Sequence, residues 1–366
     1  MIKVAAAVIR RADGAVLLGL RPAHSAHGGL WEFPGGKLEA RERPIDGLAR
    51  ELSEELGIVI DAATPLISVR HRYPTQIVEL IVFEVRDWQG VAHGREGQCI
   101  EWVAPALLAA HDFPAANLPV TTAVALPRVV MITPDLGADE ATFLARLETC
   151  LAGGVELVQL RIRATGRQRQ RVTTAALAAC ARHGARLMLN GTPQEARMVG
   201  AAGVHLNRHG LFEFKQRPVP ADMLLSAACH DARELAQAER IGADFVYLSP
   251  VEATLSHADT ALLGWAGLRT LCAASHVPVY ALGGMAPHSL ARAVRAGCQG
   301  VAMLSGMWES KTPAKLLASA VRALERAAYR VTPRLGASAA QMPQQASSKR
   351  TSSCICTGRV EVCRWE

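Results

Sequence analysis

Apolar residues fall along this chain in two rhythms, and the change between them comes near residue 120. In the first part, apolar runs at 4–9 and 15–20 flank Arg11-Ala12-Asp13-Gly14, whose Asp-Gly pair predicts a hairpin between two strands. A loop rich in His and Gly follows over 21–29. In Leu30-Trp31-Glu32-Phe33-Pro34-Gly35-Gly36, Pro34 ends the extended run and the glycines permit a tight turn. From Pro44 the spacing becomes helical: Ile45, Leu48, Ala49, Leu52 and Leu56 form one apolar stripe. Pro44 suits a first helical turn and Gly57 suits its end. Along one flank of the stripe stand Glu51, Glu54 and Glu55, at i, i+3 and i+4. The helix should bury one side and hold its acids at the rim of a cleft.

After a short connection over 118–127 the pattern changes. Apolar runs at 129–132, 157–160, 187–189, 204–206, 224–228, 245–248, 277–281 and 300–304 alternate with alanine-rich helical stretches. Strands separated by helix-length segments in this way predict a (β/α)8 barrel. A barrel carries its chemistry on the loops that follow the strands. Here these hold Arg161 and Arg163, Asn190, His205, His230, Pro250 with Thr254 and Ser256, Gly283-Gly284, and Ser305-Gly306. The last two groups follow the seventh and eighth strands, where barrels often bind phosphate. From 331 to 366, Pro333, Gly336, Gln344-Gln345 and a Ser/Thr-rich run predict a disordered tail. The expected class is α/β, with a first domain over 1–120 and a TIM barrel over 127–327.

Composition narrows the function. Half the residues are hydrophobic and 20% are charged, as in a globular protein. Of the net charge of +7, the tail holds +3: five basic residues (Arg334, Lys349, Arg350, Arg359, Arg364) against Glu361 and Glu366. The rest is too dilute for a nucleic-acid surface, yet it would not hinder an anionic small molecule. Cys99, Cys150, Cys180, Cys229, Cys272 and Cys298 mostly fall in apolar surroundings and read as buried free thiols of a reducing cytoplasm. The apolar run near the N-terminus is too short for a signal-peptide core, and none approaches a membrane span. Oligomeric state is not legible.

Three crowded carboxylates repel one another unless something positive sits between them. The economical candidate is Mg²⁺, with Mn²⁺ as an alternative, a hard cation that prefers oxygen ligands and works on phosphates. A solvated acidic helix face is the commoner explanation of such a cluster, but the spacing decides against it. Gly36, Glu42, Arg50, Glu51, Glu54, Glu55 and Gly57 meet the pattern G-x5-E-x7-R-E-(apolar)-x-E-E-x-G-(apolar) at every position. If each fixed residue is roughly a one-in-fifteen event, a chance match is negligible.

This is the Nudix box, and residues 1–120 resemble the MutT-type Nudix hydrolases, which remove oxidised guanine nucleotides. Shared features include Leu20-Arg21, Glu32-Phe-Pro-Gly-Gly-Lys37, Trp88-Gln-Gly90, Gly94-Arg-Glu-Gly-Gln98, Glu101-Trp102 and Asp112-Phe-Pro-Ala-Ala-Asn-Leu-Pro119. The resemblance implies an α/β/α sandwich with a mixed sheet. It also implies that Glu51, Glu54, Glu55, Glu96 and the carbonyl of Gly36 ligate Mg²⁺. Arg21 and Lys37 would meet phosphate or base, and Asn117 would read the purine. Glu51 is the expected general base. The implied reaction is 8-oxo-dGTP plus water to 8-oxo-dGMP and pyrophosphate, a step that keeps a mutagenic nucleotide out of DNA replication.

The barrel resembles the thiamine-phosphate synthase and thiazole tautomerase superfamily. The matches are Gly153-Gly154, Val158-Gln-Leu-Arg161, Asn190, Ala202-Gly-Val-His-Leu206, Cys229-His230, Gly242-Ala-Asp244, Ser249-Pro250, Ala281-Leu-Gly-Gly284 and Gly300-Val-Ala302. The family's site would then involve Arg161, Asn190, His230, Gly283, Gly284 and Ser305. Four departures stand out. Asn190-Gly191 lacks a metal-binding aspartate, Asn207-Arg208-His209-Gly210 lacks a second, and Arg163 and His257 replace lysines. Loss of both acids implies lost synthase activity. Two alternatives stay open: Nudix hydrolysis of a thiamine-pathway diphosphate, or a barrel serving as a thiazole or thiamine phosphate-binding or tautomerase module.

Overall fold

The computed structural model describes residues 1–23, 27–137, 139–253 and 262–332, and Met1–Val331 form one compact unit. Thr254, Ser256 and His257 and the expected tail from Pro333 lie outside the described residues.

Strand β1 (Ile2–Ile9) explains the first architecture. Its apolar run is continuous because both faces are buried. Ala5, Ala7 and Ile9 pack against Ile45, Leu48, Leu52 and Leu56 of helix α1 (Pro44–Leu56). Ala6 and Val8 face the opposite layer, with Val120, Ala123 and Val124 of α2 (Leu118–Ala125). The result is an α/β/α sandwich around a mixed sheet. On its two edges β1 pairs antiparallel with β4 (Gly35–Lys37) and parallel with β6 (Ile77–Val85). Beyond β6 lies β5 (Ala62–Arg72).

The expected hairpin is corrected here. The Asp13-Gly14 turn forms, with Arg11 N–H donating to Ala15 O at 2.9 Å and one bridge from Arg10 to Val16. Both edges of β1 are already taken, so β2 (Val16–Leu20) leaves for a second sheet, between β3 (Trp31–Glu32) and β7 (Ile100–Val103).

The barrel closes in parallel from β8 (Val129–Ile132) and β9 (Leu157–Leu160) through β10 (Arg186–Asn190), β11 (Gly203–Leu206), β12 (Leu224–Cys229), β13 (Phe245–Leu248) and β14 (Val279–Leu282) to β15 (Gly300–Met303). Alternate residues point inward: Val130, Ile132, Leu157, Met188, Phe245, Tyr247, Tyr280 and Ala302 fill the interior.

The chain then turns back. After the helix Pro313–Glu325, β16 (Tyr329–Arg330) pairs antiparallel with β5, Tyr329 opposite Ala63 and Arg330 opposite Ala62. Val331 N–H donates to Asp61 O at 3.0 Å, and Arg43 Nη2 to Arg330 O at 2.7 Å. The segment after the barrel thus completes the edge of the first sheet.

Cys150, Cys180, Cys229, Cys272 and Cys298 are buried free thiols, but Cys99 is exposed because it sits in the loop entering β7. Among the described residues no helix is long and apolar enough to cross a membrane.

Candidate active site

Helix α1 delivers its acids as the stripe requires, with Leu48, Leu52 and Leu56 fully buried beneath them. Gly57 ends it in the left-handed conformation, φ 68°, donating back to Leu52 and Ser53 carbonyls. Arg50 is the hub of the charge network. Its Nη1 lies 2.8 Å from Glu51 Oε1 and 3.3 Å from Glu54 Oε2, while Nε and Nη2 clamp Glu42 at 3.1 and 3.0 Å. Nη2 also donates to Lys37 O at 3.1 Å, which fixes β4 against α1.

Glu55 faces the other way, accepting from Gly35 N–H at 3.1 Å. Burial pushes its carboxyl up to about 8; the Gly35 N–H opposes this, and the charges of Glu32, Glu51 and Glu96 add to it. Glu96 is near because its loop is stitched to the end of α1. Arg95 N–H and Gln98 Nε2 donate to Glu55 O at 2.9 and 3.2 Å, and Arg95 Nη1 donates to Ser53 O at 2.9 Å. Glu32 is also raised by burial, against the pull of Arg21, with which it forms a short ion pair. Lys37 lies exposed at the end of β4.

At Gly36 a Cβ would collide with the Glu51 carboxyl, so only glycine lets the backbone approach that acid. In the arrangement shown, no three His, Cys, Asp or Glu side chains among the described residues are set to hold a metal. Arg50 supplies the compensating charge for Glu51 and Glu54 instead. The donor set still fits a hard cation: oxygen ligands crowd together, and burial with the neighbouring acids raises the Glu55 carboxyl, a penalty that a cation would offset.

The segment that carries Glu32 is also tied to the stretch before Asn117. Trp31 N–H donates to Asp112 O at 2.8 Å, and Phe33 stacks on Phe113 at 5.7 Å. Asn117 closes the 3-10 turn Ala115–Asn117 and is 8% exposed. Among the described residues no hydrogen bond engages its side-chain amide. Tyr73, between His27 and His71, accepts from Ala116 N–H at 3.4 Å and so supports that turn.

In the barrel, Gln159, His205, Ser226 and Tyr247 are buried polar groups; Asn190 ends β10 opposite His205, and Arg161 follows the end of β9. His205 therefore lies inside β11, not on a loop; its neutral ring is 3.0 Å from Ser226 Oγ and burial holds its pKa down at about 3. His230 follows β12, its Nδ1 2.8 Å from Glu234 Oε2. Gly283 and Gly284 follow β14 with φ of 97° and 71°, and Ser305 opens a short helix after β15.

The comparisons match each half separately. The model described as NUDIX domain covers residues 5–123, and that described as Thiamine monophosphate synthase covers 129–307. An 8-oxo-dGTP diphosphatase from Haemophilus influenzae is 41% identical over 117 residues, 32% of this chain and 86% of that enzyme. A CTP pyrophosphohydrolase from Escherichia coli is 38% identical over 123 residues, 34% of this chain and 90% of that enzyme. A thiamine-phosphate synthase from Chromobacterium violaceum is 34% identical over 198 residues, 53% of this chain and 92% of that enzyme. The chain is a Nudix hydrolase joined to a barrel of the thiamine monophosphate synthase family. It spans about half, 54%, of the length of a Synechococcus thiamine-phosphate synthase, to which it is 34% identical.

Within this Nudix hydrolase, Glu55 of α1 lies near enough to Glu32, Glu51 and Glu96 for their charges to raise its carboxyl, and Glu32 is paired with Arg21. Glu32 stands in the Glu32-Phe-Pro-Gly-Gly-Lys37 motif with nothing local to mark a role, and Tyr73 carries no sequence signal beyond being aromatic. In the barrel the partner of His230 was legible, since Glu234 stands at i+4 and completes an Asp231-x-x-Glu234 cap. The Arg169–Glu195 pair had no local signal at all.

Proposed function

We propose that the Nudix domain hydrolyses 8-oxo-dGTP to 8-oxo-dGMP and pyrophosphate with a divalent cation. The observation that carries this is the crowding of Glu51, Glu55, Glu32 and Glu96, in a domain whose nearly buried Asn117 keeps its side-chain amide out of any hydrogen bond among the described residues. Glu51, Glu54, Glu55, Glu96 and the Gly36 carbonyl would hold Mg²⁺ or Mn²⁺. Such a cation supplies neutralising charge for the phosphates and lowers the pKa of bound water. Glu51, aimed by Arg50, accepts the proton of the attacking water. Arg21 and Lys37 offer cationic contacts to the phosphates, and Asn117 both donates to and accepts from the purine edge. The 8-oxo-dGTP diphosphatase and CTP pyrophosphohydrolase relatives frame the choice of base, and the Phe113-Pro-Ala-Ala-Asn117 turn supports the purine.

The barrel, on this reading, has lost synthase activity, because neither metal-binding acid is present at the matching positions. Steady-state hydrolysis of 8-oxo-dGTP, dGTP, CTP and thiamine diphosphate, with MgCl₂ or with EDTA, tests the proposal. The oxidised nucleotide should have the highest kcat/KM, and EDTA should abolish turnover. Equal rates for dGTP, or a preference for CTP or thiamine diphosphate, would refute the specificity.

A further inference from the structure

The mouth of the barrel does not fit the divalent cation that its family resemblance implies. At Gly191, following Asn190, a Cβ would lie 2.6 Å from Glu195 Oε2 and 2.9 Å from Arg169 Nη2. The space an aspartate needs is therefore filled by an ion pair. Arg169 is anchored there on several sides. Its Nη2 donates to Glu195 Oε2 and to Asn190 O, both at 3.0 Å, and its Nη1 donates to Ile162 O at 2.7 Å.

The second position repeats the substitution. Asn207 caps a short helical turn through Gly210 N–H at 2.9 Å, and Arg208 Nε lies 2.6 Å from Glu234 Oε1. That contact is an ion pair without the alignment of a hydrogen bond. Glu234 Oε2 accepts from His230 N–H at 2.7 Å, so this buried acid is engaged on both oxygens. Asp135 accepts from Arg163 and Leu136 N–H at 2.7 and 2.9 Å, and Glu252 Oε1 accepts from Trp265 Nε1 at 2.8 Å. Each acid named here already faces a donor or a cation.

Arg161, just after β9, is half-buried; among the described residues its guanidinium makes no hydrogen bond or close ion pair, though its charge helps hold the Asp135 carboxyl down. In the barrel interior, Gln159 Oε1 on β9 and the Tyr247 hydroxyl on β13 are buried with no hydrogen-bond partner among the described residues.

We propose that the mouth of this barrel takes no divalent cation, the charge that a metal would supply being built in as arginine. Arg161 offers that charge to the phosphorylated ligand that the family resemblance implies. Arg169 and Arg208 neutralise Glu195 and Glu234, the acids that stand nearest those two positions. This rests on the geometry of the barrel and not on the nucleotide chemistry of the Nudix cleft.

Calorimetric titration of the full-length Glu54→Gln chain, with Nudix turnover silenced, tests it using inorganic phosphate and inorganic pyrophosphate as probes. Binding should be the same in EDTA and in MgCl₂. It should weaken at least about tenfold in an added Arg161→Ala change, the loss expected of a charge-assisted hydrogen bond, and recover in Arg161→Lys. An unchanged melting temperature would confirm that the variants fold. Binding that requires Mg²⁺, binding indifferent to Arg161, or no binding in EDTA would each overturn the inference. Failure of 8-oxo-dGTP hydrolysis in the parent chain would leave it standing, so the two proposals fail separately.

Discussion

Glu84 Oε2 accepts from Arg128 Nη2 at 3.0 Å, and this contact joins the first sheet to the strand that opens the barrel. Glu84 is 6% exposed and also meets Arg10 at 2.8 Å and Arg86 at 2.9 Å. Arg128 reaches further, donating to Gln299 O at 3.0 Å. Gln299 in turn donates to Ala123 O and Leu126 O at 2.9 and 3.2 Å. These bonds line a cavity of about 640 Å³ at the seam between the halves.

This cluster predicts acid sensitivity. Burial alone would raise the Glu84 carboxyl, but Arg128, Arg86 and Arg10 outweigh it and hold the group at about 2, against 4.5 ordinarily. Its folded pKa is depressed, so its contribution is complete above about 4.5 and is lost as pH falls toward 2. The full effect is on the order of 3 kcal/mol. Urea midpoints between pH 7 and pH 2.5 should fall more steeply for the natural chain than for Glu84→Gln. Parallel curves would remove Glu84 from the account.

Gly36→Ala should impair catalysis more than folding. The new methyl group displaces the Glu51 carboxyl, and a shift of that kind costs about 10²-fold in kcat. The melting temperature should stay close to that of the natural chain, because only the tip of a partly exposed side chain must move. An unaffected kcat would show that Glu51 need not lie against β4.

Asn117→Ala should lower discrimination between 8-oxo-dGTP and dGTP. Removing an amide that makes two hydrogen bonds to the base costs roughly 10- to 100-fold in kcat/KM for the preferred substrate. The readout is the ratio of kcat/KM values for the two nucleotides. An equal loss on both would assign Asn117 to the turn alone.

Arg330→Pro should loosen the edge of the first sheet, because proline cannot donate to a ladder. Amide exchange along β5, near Ala62 and Ala63, should quicken while the barrel strands keep their protection. Uniform protection in both forms would mean that β16 adds little to that edge.

The carboxylate helix was legible because its information is local. A stripe of period 3.6 places Glu51, Glu54 and Glu55 together whatever else the chain does. The barrel strands were legible for a related reason, each being a buried apolar run between helical segments. The hairpin misled, since Asp13-Gly14 dictates a turn but not which strands pair beyond it; β4 and β6 decided that by occupying β1. His205 misled in a smaller way. Its strand runs one residue beyond it, to Leu206, before Asn207 caps the next turn.

By itself the sequence determined the elements, the family of each half, the acids of the Nudix helix and the absence of two acids from the barrel. Only the tertiary structure decided what stands in their place and how the halves join. Arg169 meets Glu195 across 26 positions and Glu84 meets Arg128 across 44. Periodicity reports which face a side chain occupies. The residue opposite that face is chosen by sheet pairing and barrel closure, which bring together positions with no shared local pattern.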